Sequence, residues 1–506
     1  MAEHPRYPVL KKLALALLLL VAALIAVAAV NTWRQSSRQI TVAAAPPLVV
    51  DVDAAAKRLS QAIRAKTVSS QDDANLNADQ FRALHDQLQQ HYPRAHAALK
   101  RELVGELSLL YTWPGTDAVA KPILLLAHQD VVPIAPGTES QWQVQPFAGE
   151  IKDGFVWGRG AWDNKANLIS QMEAVEMLLA QGFKPRQTIY LGMGADEEVS
   201  GLRGAKKIAE LLASRGVKLD FVLDEGLLIT EGILKGLDKP AALIGIAEKG
   251  YLSVVMRTTG TPGHSSMPPA AGTGAIGMLS GALARLEDRQ MPAHIRGVAQ
   301  EMFDTIAPEM SGFGRVALSN LWLFGPVVQR QLEGAASTNA MLRTTTAPTV
   351  VAAGNKDNVI PGEASATVNF RLLPGDTRAR VLQHVHDAVG PQPEGRFELK
   401  SLDGSSEPSP ISPTASASYG LINRTLRSLF PDTLVAPGLM IAATDSRHFT
   451  AVSDHIYRFS PVRAKSEDLA RFHGTNERVS IANLGELIRF YVQLLRNASS
   501  GEGAVP

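Results

Sequence analysis

The sequence predicts an α/β fold: a central mixed, mostly parallel sheet, an inserted small two-layer α/β unit, and one N-terminal membrane helix. Three observations carry that expectation. Between Leu107 and Asp224, strand-like apolar runs alternate with helix-like segments, the pattern of βα units around a parallel sheet. From about Ile246 the texture changes and a second, smaller set of strands and helices follows. Leu13 to Val30 is a run of 18 apolar residues, preceded by Arg6, Lys11 and Lys12. Such a length reaches the lower end of a bilayer span, and the basic flank predicts that the N-terminus stays inside while the rest is exported.

Each element has its own warrant. The apolar run opens the chain and is apolar all round, which argues against a buried core helix. Two readings stand: an uncleaved signal anchor, or a signal peptide cut near the Ala-rich stretch that follows. The length favours the anchor, because signal-peptide apolar regions are shorter. Asn31 to Pro47 reads as a linker closed by Pro46-Pro47. Val50 to Gln90 has helical periodicity without Gly or Pro. Leu107 to Tyr111, Ile123 to Ala127, Thr188 to Met193 and Phe221 to Leu223 read as strands, with helices at Leu168 to Leu179 and Ala205 to Ala213. In the second set, Leu252 to Thr258, Thr349 to Ala353 and Ala364 to Leu372 read as strands, and Thr273 to Leu286 and Thr377 to Val389 as helices. Ser401 to Ser416 is Pro/Ser-rich and reads as a surface loop; Ile481 to Leu495 reads as the last helix.

Composition excludes several classes. With 506 residues, 45% hydrophobic and 20% charged, the chain is an ordinary globular protein long enough for two or three domains. A net charge of +1, with no long basic tract, argues against nucleic acid as a partner. There is no cysteine, which excludes disulfides, thiolate metal sites and cysteine nucleophiles. Any metal must be held by His, Asp and Glu.

Those residues gather where strands end. His128-Gln129-Asp130 follows the apolar run Ile123 to Ala127, and the carboxyl ends of strands are where open α/β sheets bind ligands. A metal-binding histidine needs an acceptor for its other ring nitrogen, which Asp130 supplies. Asp163 closes the glycine-bearing loop Gly158-Arg159-Gly160-Ala161-Trp162 and opens a helix; capping that helix is its plainer use. Glu197-Glu198 and Asp224-Glu225 each follow a strand, although paired acids are commonly a solvated surface feature. His264 lies in the inserted unit and His473 just before the last helix; each alone reads as a solvated loop histidine. Together His128, His473, Asp163, Glu198 and Asp224 suit a pair of divalent cations sharing one carboxylate. Glu197 is left to move a proton, and adjacent residues diverge in direction, so a double glutamate can serve both tasks.

The blocks LLLAHQD, GRGAWDNK, GADEEVSG, DEG, GHSS and FHGTNE resemble the M20 family of metallopeptidases and aminoacylases, in order and across about residues 50 to 497. Thr338-Asn339-Ala340, Arg343-Thr344-Thr345-Thr346, Asn358-Val359-Ile360-Pro361 and Thr444-Asp445-Ser446-Arg447 are similar to its carboxypeptidase S branch, and within it to enzymes that hydrolyse and form N-fatty-acyl amino acids. The resemblance implies a zinc-peptidase-like catalytic domain with an inserted lid and dimerisation domain. The implied boundaries are 1–47 for the cytoplasmic tip, membrane segment and linker, 48–247 and 376–506 for the two parts of the catalytic domain, and 248–375 for the insertion. It also implies two Zn2+ ions, with Co2+ or Mn2+ as substitutes. His128 and Asp224 would hold one ion and Glu198 and His473 the other, with Asp163 bridging through a cis bond to Asn164. Asp130 would orient His128, and Glu197 would be the general base and acid. His264 would stabilise the oxyanion across a homodimer, and Asn358 and Arg371 would grip the substrate carboxylate. Asn164 stands where many relatives carry a second Asp.

The expected function is therefore a membrane-anchored or secreted di-zinc amidohydrolase acting on N-acyl amino acids. The alternatives are a dipeptidase or carboxypeptidase of the same family, and a metal-free binding protein on the same fold. Leu321-Trp322-Leu323-Phe324 reads either as core of the insertion or as the wall of an acyl groove.

Overall fold

Every residue of the strand Ile123–His128 is buried. Side chains alternate across a strand, and here both faces are covered. Leu125 and Ala127 join a core built with the helices Val52–Arg64, Lys165–Ala180 and Ile481–Ser499. Leu124 and Leu126 pack on the opposite side against Ala205–Ser214 and Phe449. Truncating such a leucine to alanine costs about 2–5 kcal/mol. The computed structural model describes residues 7–234 and 236–500; Arg6 of the basic flank lies outside the described residues.

The strand is central in a mixed eight-stranded sheet. Its order is Lys100–Val104, Ser108–Trp113, Ile189–Gly194, Ile123–His128, Phe221–Thr230, Ile456–Ala464, Ala241–Glu248, Leu434–Met440. Ile123–His128 pairs in parallel with both neighbours, His128 opposite Gly194 and Leu125 opposite Leu223. The ends of Ile123–His128 and Ile189–Gly194 therefore meet at one rim, while Phe221–Thr230 does not stop at Leu223 as expected but runs on past them with Asp224 and Glu225 in mid-strand.

Val50 to Gln90 is two helices, Val52–Arg64 and Ala78–His91, not one. The intervening segment serves the rim: Thr67 donates to the Gln129 carbonyl at 2.7 Å and accepts from the Val131 N–H at 3.0 Å. The helix Lys165–Ala180 is buried on nearly all sides, which is why its periodicity is weak. Lys165 turns its ammonium onto the Ala62 and Ala65 carbonyls, at 2.9 and 2.6 Å, capping the C-terminal end of Val52–Arg64. The linker after the first helix is not free: Gln39 exchanges two hydrogen bonds with the Val435 backbone and the Ala45 N–H donates to Ser428.

The second sheet is antiparallel, in the order Thr345–Ala353, Glu363–Leu372, Gly250–Thr259, Phe397–Ser401. Along Glu363–Leu372 every second residue is buried, and that face packs on the helices Ala275–Asp288 and Arg378–Val389. These elements form a two-layer unit whose packing continues past residue 375. Val381 and Val385 belong to its core, and Phe397–Ser401 is hydrogen-bonded to Gly250–Thr259. A helical period at 377–389 says which side is apolar, not which sheet it covers. Between these strands, residues 298–342 form the helices Val298–Ile306, Gly312–Ser319, Leu321–Glu333 and Ala336–Leu342. The first of them shares a core with Ala436 of the main sheet's edge strand.

Candidate active site

Asp163 is the centre of the rim. Its Oδ1 lies 2.9 Å from His128 Nε2 and its Oδ2 lies 2.8 Å from His473 Nε2. The plainer reading of Asp163 as a helix cap does not hold: the N-cap is Asn164, without a capping side chain, and both Asp163 oxygens face histidines. The peptide bond from Asp163 to Asn164 is cis, as the resemblance implies.

Two loops must meet to bring His473 here. Glu477 is fully buried and accepts the N–H groups of Gly160, Trp162 and Asp163. Arg159 bonds Glu477 at 2.7 Å and donates to the His473 and Gly474 carbonyls. Removing one partner of such a buried pair costs about 3–5 kcal/mol. Phe472 stacks on the His473 ring at 4.4 Å and meets Trp162 edge-on. The sequence reading passed over Arg159 and Glu477, although both sit inside motifs it singled out.

Asp130 orders the other side. His128 Nδ1 lies 2.9 Å from the Asp130 carbonyl and 3.3 Å from its Oδ1. The same carboxylate accepts the N–H groups of Glu197 and Glu198, at 3.1 and 3.0 Å, and the Ser69 hydroxyl at 2.7 Å. Glu197 and Glu198 share the turn Glu197–Val199 and diverge. Glu198 sends Oε2 to His473 at 3.3 Å, and its Oε1 is buried without a hydrogen-bond partner. Glu197 groups with His128 and Glu198.

The acid that faces His128 from the third strand is Glu225, not Asp224. Glu225 Oε1 is 3.1 Å from His128 Nε2, and its Oε2 accepts from Asn164. Both Asp224 oxygens are taken by backbone N–H groups, those of Glu225 at 2.9 Å and Ser446 at 2.7 Å. Behind it lies Asp445, buried, with room made by Gly194 and Gly201: a Cβ on either would come within 2.3 Å of its carboxylate.

Electrostatics follow from burial. Burial alone would raise the Asp163 pKa, but hydrogen bonds from the two histidines hold it well below its ordinary value. Burial, helped by the Asp163 charge, lifts Glu198 to about 7. Burial pushes Glu197 well above the carboxylate range, with Glu198 and Glu225 adding to it. Burial and the Glu225 charge raise Asp224 to about 7. Burial opposes protonation of His473, yet Asp163 and Glu198 outweigh it and raise it to about 10. Three overlapping groups, His128–Glu197–Glu198, His128–Asp163–Glu225 and Asp163–Glu198–His473, each offer ligand atoms within 4.8 Å of one another. Imidazole and carboxylate donors, with the Glu198 Oε1 buried and unpartnered among them, fit divalent cations.

The site opens into a cavity of about 570 Å³. Trp162, Leu228, Met440 and Phe472 line it together with Arg371 and Arg447. Arg371 lies 4.9 Å over the Tyr251 ring. Arg447, which also donates to the Ser200 carbonyl at 2.7 Å, had been read only as part of a motif. His264 and Asn358 are elsewhere. Both are exposed: His264 on a two-stranded ribbon, Gly263–His264 against Val359–Ile360, and Asn358 in the turn before its second strand; His264 Nδ1 meets only Ser266 nearby. Leu321-Trp322-Leu323-Phe324 lines no part of this cavity and is not core either, since its helix has no buried residue.

Comparison with known proteins gives the family and the fold. The model of Peptidase family M20/M25/M40 matches residues 124–497. The chain is 42% identical over 477 residues to the N-fatty-acyl-amino acid synthase/hydrolase PM20D1 of Xenopus tropicalis, covering 93% of this chain and 90% of that protein. It is 39% identical to the probable carboxypeptidase S-like 2 of Dictyostelium discoideum, covering 92% and 90%. In fold it is similar to the M20 family metallo-carboxypeptidase Sso-CP2 of Sulfolobus solfataricus, with a TM-score of 0.65 at 16% identity over 89% of this chain and all of that one. Human carnosine dipeptidase 1 follows at a TM-score of 0.61 and 14% identity, over 89% and 96%. The chain therefore belongs to peptidase family M20/M25/M40 and is a hydrolase of amide or peptide bonds.

Proposed function

We propose that this chain is a two-zinc amidohydrolase that cleaves, and in reverse forms, the amide bond of N-acyl amino acids, with long acyl chains preferred. One observation carries the two-ion reading: Asp163 spans His128 and His473 with one oxygen each. His128 and Glu225 would hold one ion and His473 and Glu198 the other. Bound there, two divalent cations would polarise the scissile carbonyl and lower the pKa of the attacking water.

The chain's own residues do the rest. Glu197 takes the proton from the attacking water and hands it to the leaving nitrogen, standing beside His128 and Glu198 for that task. Asp130 fixes the His128 ring and the backbone of both glutamates. Arg371, with Arg447 beside the same cavity, receives the substrate carboxylate. Trp162, Leu228, Met440 and Phe472 cover the acyl side. His264 and Asn358 join only when the insertion closes or a second protomer supplies them. The N-terminal helix acts as a signal anchor, with the catalytic part on the exported side.

A dipeptidase reading shares the amide and the carboxylate, so substrate choice decides. The test is hydrolysis by the full-length protein, zinc present, of N-oleoyl amino acids, N-acetyl amino acids and Gly-X dipeptides. A higher kcat/KM for the oleoyl compounds is the expected result. Preference for dipeptides would overturn the acyl reading and leave a carboxypeptidase.

A further inference from the structure

The helix Leu321–Glu333, like the N-terminal helix, is apolar and left uncovered. Its first eight residues, Leu-Trp-Leu-Phe-Gly-Pro-Val-Val, are all apolar, yet none is buried. Trp322 is 56% exposed and Val327 64%, and Phe313 of the preceding helix is 66% exposed. Phe313 and Phe324 meet edge to face at 5.4 Å, so the two helices present one continuous apolar surface. Between Arg315 and Arg330 there is no charged residue.

What covers this surface follows from its neighbour. The helix Gly312–Ser319 packs on the N-terminal helix, and Asn320, at the corner of the pair, is tied to that helix three times. Asn320 Nδ2 donates to the Ala28 carbonyl at 3.1 Å and to Thr32 Oγ1 at 3.0 Å, and Asn31 donates to Asn320 Oδ1 at 3.2 Å. Ser319 donates to Gln35 at 3.1 Å. Among the described residues Leu10–Arg34 is the one helix long and apolar enough to cross a membrane. Its apolar run, about 27 Å long at about 1.5 Å per residue, ends at Val30. Asn31 and Thr32 therefore mark the level where hydrocarbon would give way to headgroups, and Asn320 is pinned at that level. Trp322 caps the arrangement by donating its indole N–H to Asn320 Oδ1 at 3.1 Å, the amphipathic placement that tryptophan takes at bilayer interfaces.

We propose that the helix pair 312–333 lies in the membrane interface beside the N-terminal anchor and inserts Phe313, Trp322 and Val327 among the lipids. The inference rests on the anchor reading above. It does not depend on which amide the enzyme cleaves. The occupant is a lipid surface engaged by apolar insertion rather than by charge, since the exposed face carries none.

The absence of cysteine makes the test direct, because any introduced cysteine is the sole thiol. Nitroxide labels are attached to full-length Phe313→Cys, Trp322→Cys, Leu17→Cys and Arg101→Cys, reconstituted in phosphatidylcholine vesicles. Arg101 is exposed on the edge strand farthest from Leu434–Met440 and serves as the aqueous reference. Collision rates with oxygen and with a water-soluble nickel chelate are then compared. The expected result is that positions 313 and 322 resemble position 17, with oxygen favoured over nickel several-fold more than at position 101. Position 17 in lipid with 313 and 322 matching 101 would overturn the proposal while sparing the anchor. Protection of 313 and 322 from both reagents would mean that protein covers the surface, and would also overturn it. An aqueous position 17 would remove the anchor and this inference together.

Discussion

The rim of the main sheet and the ribbon of the insertion carry the same kinds of residue in opposite states. At the rim, His128, Asp163 and Glu198 have little exposed surface, and each side chain is held by backbone or by another side chain. On the ribbon and in the turn before its second strand, His264 and Asn358 stand in solvent. The rim is a preorganised electrostatic site, which needs no rearrangement at the moment of reaction. The ribbon residues do not line the cavity, so on the proposed reading any contribution from them would depend on closure or assembly. The difference teaches that one chain can hold one set of polar side chains in place and leave a second set of the same kinds in solvent.

Several experiments would break or sharpen that contrast. The largest effect belongs to the rim: chelation should reduce hydrolysis to background, and added zinc should restore it. Full turnover in a preparation shown to be metal-free by elemental analysis would reject the metal reading. Next, Glu197→Gln should retain bound metal while kcat falls by about 10²–10⁴; loss of metal would exchange the roles of Glu197 and Glu198. His264→Ala tests the ribbon, with an expected fall in kcat of about 10²–10³ and metal content unchanged. An unaltered kcat would leave His264 as a solvated loop residue.

Smaller effects separate neighbours within the rim. Asp224→Asn should weaken metal affinity by about 10–100-fold, the usual range for a residue that supports a ligand. Glu225→Ala should weaken it more, and the reverse order in a metal titration would restore Asp224 as the ligand. The smallest effect is on stability after chelation. The folded pKa of Glu198 is raised to about 7 and that of His473 to about 10, so the folded chain binds more protons than the unfolded one above the unperturbed values. Stability should be greatest near pH 5 and fall as pH rises through 7 towards 10. A melting temperature of the chelated protein that rises over that range would contradict the assignment.

Much of this was legible in the sequence because strand ends are. His128, Glu197 and Glu198 follow apolar runs, Asp163 precedes a helix and His473 stands in a loop before the last one, and the fold brings them within reach of one another. Within Asp224-Glu225 the sequence reading chose Asp224, whereas Glu225 faces His128, because adjacent strand residues point oppositely and only the register says which side faces the rim. The divergence recognised in Glu197-Glu198 applies equally there. The Ser446 N–H that occupies Asp224 comes from over 200 residues away, and no local pattern announces it. Arg159 and Glu477 were hidden for the same reason: their partner lies on a distant loop. Among the helices missed between residues 298 and 342, Leu321–Glu333 escaped because its patterning is not that of a core-facing helix, and it has no buried residue.

Asp130 has a consequence for how this site can vary. A single carboxylate steadies the His128 ring and receives the amides of Glu197 and Glu198 together with the Ser69 hydroxyl. Residues in one such network do not contribute independently. Losing Asp130 would loosen several partners at once, and a later change at any of them would then matter less than it does in the intact protein. The position is a point of epistasis: drift can proceed around it, but the residues it joins can change only as a group.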